Sequence, residues 1–429
     1  MKTQAALYLL GFFLISSCSQ PNEPITKVSD YEVYLTAQPV STFDIDADVA
    51  FWQARLEATP NDEASILKLA GLYSAQFRKT GESEILNLSD SLYSYVLNTT
   101  SGKAGIYLAL AQNSITRHEF RQARTLAEAA LKEGGRKAAS LLVITDAALE
   151  LGDVAYASNI LKQFTNKNSF AHRIRQVKVK DQEGDLDSAI LIMEQAFERV
   201  KGNKELYCWS LSNLGDMYGH AGRIEEAYQA YLSVLQKEPS YDYALKGIAW
   251  IALSHDHNYA EAKRIITTLA SRKRMPEAHL MLAEIAALEN NESEKNIQLT
   301  AFVNLTDTNE YKTMYAKYLA GIYADDLAKP ELSLAIAEEE IRNRPTPQSY
   351  DLKAWALLQL GRSEDALLTA YEHVQGKTFE PDAAYHLGMI YLANNLPSEA
   401  KKYLNEAIES SFELGPIITR DIKNTLAKI

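Results

Sequence analysis

Small and apolar residues recur along most of the 429-residue chain at intervals close to 34 positions. Each of them opens a stretch whose apolar residues return every three or four positions, as on one face of an α-helix. The series is Ser89, Ala123, Ala157, Ala189, Ala227, Ala262, Asn296, Leu332, Ala366 and Ala400, in which Asn296 and Leu332 depart from the expected alanine. A second helical stretch precedes each of these, so the pattern predicts about ten pairs of amphipathic helices. One pair cannot bury its own apolar face, and the pairs must therefore stack on one another.

The pattern is most complete over residues 208–241. The positions concerned are Leu211, Leu214, Gly215 and Tyr218 on the first helix, Gly222 in the turn, and Ala227, Tyr231 and Val234 before Pro239. Gly215 and Ala227 are small where the helices cross, and Tyr231 fills the space beside that crossing. Gly222 ends the first helix and Pro239 stops the second.

This spacing resembles one tetratricopeptide repeat, and the unit that begins at Pro381 resembles it almost as well. The resemblance implies an all-α fold, a right-handed α-α superhelix of about ten helix-turn-helix repeats closed by a C-terminal capping helix. The repeats are expected to begin near Glu63, Ala104, Ala138, Phe170, Cys208, Asp242, Glu277, Thr313, Pro347 and Pro381.

The predicted organisation has five parts along the chain. They are a signal peptide (1–17), an extended linker (18–43), an N-terminal packing helix (44–62), the repeat array (63–412) and the capping helix (413–429). The linker is expected to be extended because it carries Pro21, Pro24 and Pro39 without a helical period. An extended segment beside an open groove could also occupy that groove.

The N-terminus resembles a bacterial lipoprotein signal. Lys2 precedes an apolar run over residues 5–15, and small residues lead directly to Cys18. The resemblance implies that Cys18 is lipidated and that the protein is tethered in the cell envelope. Ser19, where inner-membrane lipoproteins of enterobacteria carry Asp, favours the outer membrane, on either its periplasmic or its surface side. The alternative is an ordinary signal peptide or anchor with an incidental cysteine.

Composition and motifs exclude several classes of function. A net charge of −12 argues against nucleic-acid binding. No phosphate-binding loop or nucleophile elbow is present, so neither a catalytic site nor a cofactor is predicted. His255, Asp256 and His257 lack a further ligand, and no metal is predicted. An enzyme would require a cluster such as His220, Asp216 and Asp181 converging in one pocket.

In the family that the repeats resemble, first helices line a concave groove and place certain positions on its surface. The residues predicted to bind a protein or peptide partner there are Trp209, Asp216, Tyr243, Lys246, Trp250, Lys317, Asp351, Trp355, Tyr385 and Met389. Trp and Tyr provide large contact areas at small entropic cost, which favours this role. The alternative is that the tryptophans pack against neighbouring repeats.

We therefore expect a non-enzymatic interaction scaffold on a lipid tether. The alternative is a glycan-binding surface lipoprotein, similar to starch-utilisation proteins, that uses the Trp and Tyr residues of the groove against sugar rings.

Overall fold

The computed structural model describes residues 23–37, 44–99, 103–308 and 311–429. The predicted signal peptide and Cys18 lie outside these ranges. Over the described ranges the secondary structure consists of 23 α-helices and contains no strand. None of the helices within these ranges has the length and apolar character needed to cross a membrane.

The first twelve helices run from the N-terminus to the middle of the array. They are α1 (Val28–Leu35), α2 (Ile45–Ala58), α3 (Glu63–Thr80), α4 (Ser83–Thr99), α5 (Ala104–Thr116), α6 (Phe120–Lys132), α7 (Lys137–Glu150), α8 (Val154–Leu161), α9 (Phe170–Gln182), α10 (Leu186–Glu198), α11 (Lys204–His220) and α12 (Ile224–Lys237). The remaining helices are α13 (Asp242–Ser254), α14 (Tyr259–Ala270), α15 (Pro276–Leu288), α16 (Glu292–Thr306), α17 (Ala316–Asp325), α18 (Pro330–Asn343), α19 (Pro347–Gln359), α20 (Ser363–His373), α21 (Pro381–Ala393), α22 (Pro397–Glu409) and α23 (Ser411–Leu426).

The helices from α3 to α22 form ten antiparallel pairs, and each pair packs on the next. Helix α2 packs on α3 at one end, and α23 packs on α22 at the other. First helices of neighbouring pairs also contact each other, for example α5 with α7 and α11 with α13, so they form one layer. The predicted all-α solenoid of about ten repeats with a C-terminal capping helix is thus confirmed.

Turns within the pairs use residues that adopt a left-handed backbone. Gly152, Gly184 and Gly222 have φ values of 77°, 75° and 71° where a first helix ends. After Gly152 and Gly184, the next residue caps the second helix: the Asp153 carboxylate accepts a hydrogen bond from Tyr156 N, and that of Asp185 accepts one from Ser188 N. His118 adopts a φ of 60° at an equivalent turn that has no glycine. Gly222, which the sequence predicts to end a first helix, therefore does so.

The central packing is organised around the Tyr231 ring, which is 4% exposed. A Cβ atom added at Gly215 would lie 2.6 Å from this ring, and one added at Gly247 would lie 2.4 Å from it. The Tyr231 hydroxyl donates a hydrogen bond of 2.6 Å to Asp216. Gly215 is small for the predicted reason, whereas the pattern within one repeat does not predict the role of Gly247, which belongs to the next repeat.

Successive turns of the superhelix touch along a seam. Arg344 Nη1 lies 3.4 Å from Glu150 Oε2, although the two residues are 194 positions apart. Farther along the seam, Phe379 lies against Gly184 and Phe412 against Gly219, where an added Cβ would come within 2.6 Å of the aromatic ring in each case. Repeats that are remote in sequence therefore contact one another along this seam.

The N-terminal segment does not follow the sequence prediction. The expected extended conformation is wrong for Val28–Leu35, which form α1. Tyr31 of α1 is fully buried, and its hydroxyl donates a 2.8 Å hydrogen bond to Glu261. Two backbone amides, those of Ile25 and Thr26, donate to the Asp256 carboxylate at 3.0 and 2.9 Å. Because these contacts outweigh the weak local helix propensity of a short segment, tertiary packing determines its conformation.

Helix α1 packs on α12 and α14, which are both second helices. Residues 23–37 therefore lie on the layer of second helices and leave the groove formed by first helices unoccupied by this segment. Asp256 lies in a turn between His255 and His257. Its carboxylate accepts hydrogen bonds from the backbone of the N-terminal segment, which gives this turn a structural role.

Candidate partner-binding groove

Three aromatic side chains stand exposed on first helices, and we call them the aromatic patch. Trp209 is 37% exposed, Tyr243 is 41% exposed and Tyr318 is 46% exposed. Trp209 packs edge-on against Phe170, with ring centroids 5.9 Å apart. Two of the three were predicted as groove residues, whereas Tyr318 was missed because the predicted repeat boundary at Thr313 lies ahead of the observed start of α17.

Charged groups hold Tyr243 in a defined orientation. Its hydroxyl donates to the second carboxylate oxygen of Asp216 at 2.6 Å. The Lys246 ammonium lies 4.7 Å from the centre of the Tyr243 ring. Burial raises the pKa of Tyr243 above its ordinary value, and the neighbouring Asp216 raises it further. Tyr243 therefore stays a neutral hydrogen-bond donor and presents one face of its ring.

Trp250 lies farther along α13 and is engaged by the chain itself. Its indole Nε1 donates a hydrogen bond of 3.1 Å to the Phe412 carbonyl oxygen. The Phe412 ring meets the Trp250 ring edge-on, with centroids 6.5 Å apart. Trp250 is thus a groove residue that contacts a peptide segment, but the segment belongs to the same molecule.

A buried cluster occupies the C-terminal part of the first-helix layer. Trp355 is 6% exposed, stacks on His386 with ring centroids 4.1 Å apart, and donates to Asp325 at 2.8 Å. His386 Nδ1 lies 2.8 Å from Asp351, which is 5% exposed. Burial alone would lower the pKa of His386, but the surrounding carboxylates, Asp351 first among them, raise it.

This cluster corrects part of the sequence analysis. Trp355 and Asp351 were expected to face a partner, but no partner can reach them in this conformation because the first-helix layer covers them. Tyr385 donates to Asp421 at 2.8 Å, and Met389 packs into the same apolar cluster as helix α23. Trp355 therefore packs against the neighbouring repeat, which is the alternative to partner binding.

An ion pair joins two first helices. Lys317 Nζ of α17 lies 2.6 Å from Asp382 of α21, and their side chains remain 52% and 34% exposed.

Glu284 of α15 is partly buried in the first-helix layer, where its carboxyl group lies beside Gly415 of α23. Burial raises its pKa to about 7.

The raised pKa of Glu284 predicts a pH dependence of stability. From its ordinary value of 4.5 up to about 7, the carboxyl ionises in the unfolded chain but stays protonated in the folded one. Raising the pH through this window therefore favours the unfolded chain and lowers the free energy of unfolding. We expect Glu284→Gln to remove that loss, so that its stability relative to the wild type rises from about pH 5 to about pH 7.

Urea unfolding followed by circular dichroism at several pH values measures this difference. Glu406→Gln, an exposed glutamate on α22, is the matched control and should show no such trend. A stability difference between Glu284→Gln and the wild type that stays constant with pH would contradict the raised pKa.

The chemistry available elsewhere in the described residues is limited. In those residues no group of three or more His, Cys, Asp or Glu side chains is arranged to hold a metal ion. Asp216 is bonded to Tyr231 and Tyr243, while His220 faces Glu413 at 3.8 Å. Burial raises the pKa of the Cys208 thiol, which makes this residue a poor nucleophile.

Stacked, paired helices with one layer of first helices define a helix-turn-helix repeat solenoid. The repeat type is given by residues 381–413, which match the family model described as tetratricopeptide repeat. This match covers α21 and α22, a unit in which the sequence pattern was already clear. One helix pair of this solenoid, α21 and α22, thus matches a tetratricopeptide repeat.

Several solved structures are similar to this chain at low identity. A tetratricopeptide repeat protein from Parabacteroides merdae ATCC 43184 is 17% identical, with 60% of this chain and 97% of that chain covered and a TM-score of 0.35. The APC/C hetero-tetramer Cut9–Hcn1 is 14% identical, covering 89% and 93%, with a TM-score of 0.35. YrrB, described as a TPR protein with an unusual peptide-binding site, is 19% identical, covering 45% and 95%, with a TM-score of 0.28. No curated protein matches the sequence.

Proposed function

We propose that the protein is a non-enzymatic scaffold that binds a protein or peptide partner through the aromatic patch. The observation that carries the proposal is the exposure of Trp209, Tyr243 and Tyr318 on first helices, while the other groove tryptophans are engaged by the chain. Exposed Trp and Tyr side chains are frequent energetic centres of protein interfaces. Asp216 and Lys246 fix the orientation of Tyr243, so a partner would meet a preformed surface.

The lipid tether is the second part of the proposal. The sequence before Cys18 supports its lipidation, and an anchored scaffold would raise the local concentration of its partner at the envelope. Outer-membrane attachment follows from Ser19 beside the lipidated cysteine. Residues 25–35, which follow the proposed tether, pack on α12 and α14 and leave the aromatic patch free.

A glycan-binding role is not favoured. Two of the groove tryptophans on which that role would rely are engaged by the chain, since Trp250 donates to Phe412 and Trp355 is buried against His386. Binding of a partner through the aromatic patch requires neither Trp250 nor Trp355.

The test is a crosslinking pull-down from native envelopes with the Trp209→Ala, Tyr243→Ala double variant. A partner captured by the wild type is expected to be lost from the variant, because hot-spot aromatics each contribute about 2 kcal/mol or more to such interfaces. Tyr371→Ala is the matched control, since Tyr371 is 66% exposed on the second helix α20. Equal capture by the wild type and both variants would exclude the aromatic patch as the binding surface.

A further inference from the structure

The start of α23 occupies the groove formed by α11 and α13, and we call residues 411–415 the C-terminal insert. Helix α23 contacts both of these first helices, although it follows the last repeat in sequence. Phe412 is the residue that enters the groove. Its ring lies against Gly219, where an added Cβ would come within 2.6 Å of the ring, and edge-on against Trp250.

The groove contacts the insert as a binding site contacts a peptide. Trp250 recognises the main chain, since its indole donates to the Phe412 carbonyl oxygen at 3.1 Å. The absence of a side chain at Gly219 provides the space for an aromatic ring. The carboxylate of Glu413 lies 3.8 Å from His220 Nδ1, so an acidic residue follows the aromatic one at this surface.

A break in the backbone lies between the insert and the remainder of α23. Gly415, with φ 77° and ψ 171°, interrupts the helix in a conformation that residues other than glycine rarely adopt. Beyond this break, Pro416 begins a second helical stretch whose Ile422 is buried in the apolar cluster shared with α21 and α22. When the insert leaves the groove, the capping part of α23 can keep the contacts of Ile422, but Leu414 of the insert, which is buried in the same cluster, must leave its packing.

We propose that Gly219, His220 and Trp250 form a recognition site for a peptide segment with phenylalanine followed by glutamate, and that the C-terminal insert is its intramolecular competitor. This inference rests on the proposed function, since it names the class of partner that the same groove accepts. The insert restricts access to the site until a partner segment displaces it. The aromatic patch, which includes Tyr243 on the same helix as Trp250, remains exposed and can bind a partner first.

The test uses a fluorescein-labelled peptide with the sequence of residues 410–415, Ser-Ser-Phe-Glu-Leu-Gly, and the chain from residue 19 onward. Fluorescence anisotropy measures its affinity for the wild type, for Phe412→Ala and for Phe379→Ala. Phe379 is the matched control because it is a second seam phenylalanine, against Gly184 and outside this site. We expect Phe412→Ala to bind the peptide at least ~10-fold more tightly than the other two, since an occupied site lowers apparent affinity by its free fraction.

Specificity is tested in the Phe412→Ala chain. Replacing phenylalanine by alanine in the peptide, or Trp250 by alanine in the protein, is expected to abolish binding. If Phe412→Ala retains its helical circular dichroism but does not bind the peptide, the insert only packs against the first helices and the proposal is wrong. Equal affinity of all three chains would also overturn it.

A second measurement uses the wild type and therefore does not depend on whether the Phe412→Ala variant folds. Excess unlabelled peptide should accelerate amide hydrogen exchange at residues 411–414 and leave residues 417–426 unchanged. No change at residues 411–414 would contradict displacement. Failure of this proposal is distinguishable from failure of the proposed function, because loss of partner capture through Trp209 and Tyr243 is measured separately.

Discussion

Replacing Tyr31 by alanine is expected to detach α1 from the outer layer of the solenoid. The Tyr31 side chain is fully buried, and its hydroxyl is bonded to Glu261. Truncating a buried aromatic residue costs about 3–5 kcal/mol, which exceeds what an eight-residue helix can recover by itself. Hydrogen exchange at residues 25–35 should approach the rate of an unstructured chain, while exchange in the repeats beyond α12–α14 should change little.

Val33 provides the control on the same helix. It is 66% exposed, so Val33→Ala should leave α1 attached and its amides protected. Apart from the hydrogen bond between Tyr31 and Glu261, the polar contacts of α1, including the ion pair between Glu32 and Arg264 at 2.6 Å, are unchanged in both variants. If Tyr31→Ala leaves residues 25–35 protected, polar contacts rather than the buried ring hold the segment.

Replacing Gly247 by alanine is expected to lower the free energy of unfolding by about 1–3 kcal/mol, the usual cost of overpacking a core. The added Cβ would lie 2.4 Å from the Tyr231 ring. That ring cannot move aside, because Gly215 lies on its other side and Asp216 holds its hydroxyl. Urea unfolding, together with hydrogen exchange in α11 to α13, measures the loss.

Gly321→Ala is the matched substitution at another mid-helix glycine. No atom lies within 4 Å of a Cβ at Gly321, so alanine there should stabilise the protein by about 0.4–1 kcal/mol through reduced chain entropy. The two substitutions are chemically identical and should have opposite signs. If both stabilise the protein, the Tyr231 ring is free to shift and the packing described for it is wrong.

The groove was only partly predictable from sequence. Trp209 and Tyr243 stand exposed on first helices as expected, because their positions depend on the geometry of a single helix pair. Trp355 has the same local pattern but is buried, since His386 of the next repeat covers its ring. Repeat position therefore predicts which layer a side chain faces, and neighbouring repeats determine whether solvent reaches it.

The conformation of the N-terminal segment was likewise determined by contacts that the local sequence does not show. Its prolines and lack of helical period predicted an extended linker, and for Val28–Leu35 that prediction is wrong. Asp256, Glu261 and Arg272 bind this segment from positions more than 200 residues away. No sequence pattern within residues 25–35 indicates these distant partners.

By itself, the sequence determined that the protein consists of about ten stacked helix pairs, because the spacing of apolar residues, the turn glycines and the helix-ending prolines all act within a single repeat. Only the tertiary structure decided that remote repeats contact one another along the seam, that α1 packs on the second helices and that Phe412 reaches Trp250. The physical reason is that small rotations between repeats accumulate along the array. Contacts such as that between Glu150 and Arg344, 194 positions apart, depend on the sum of those rotations, which no single repeat encodes.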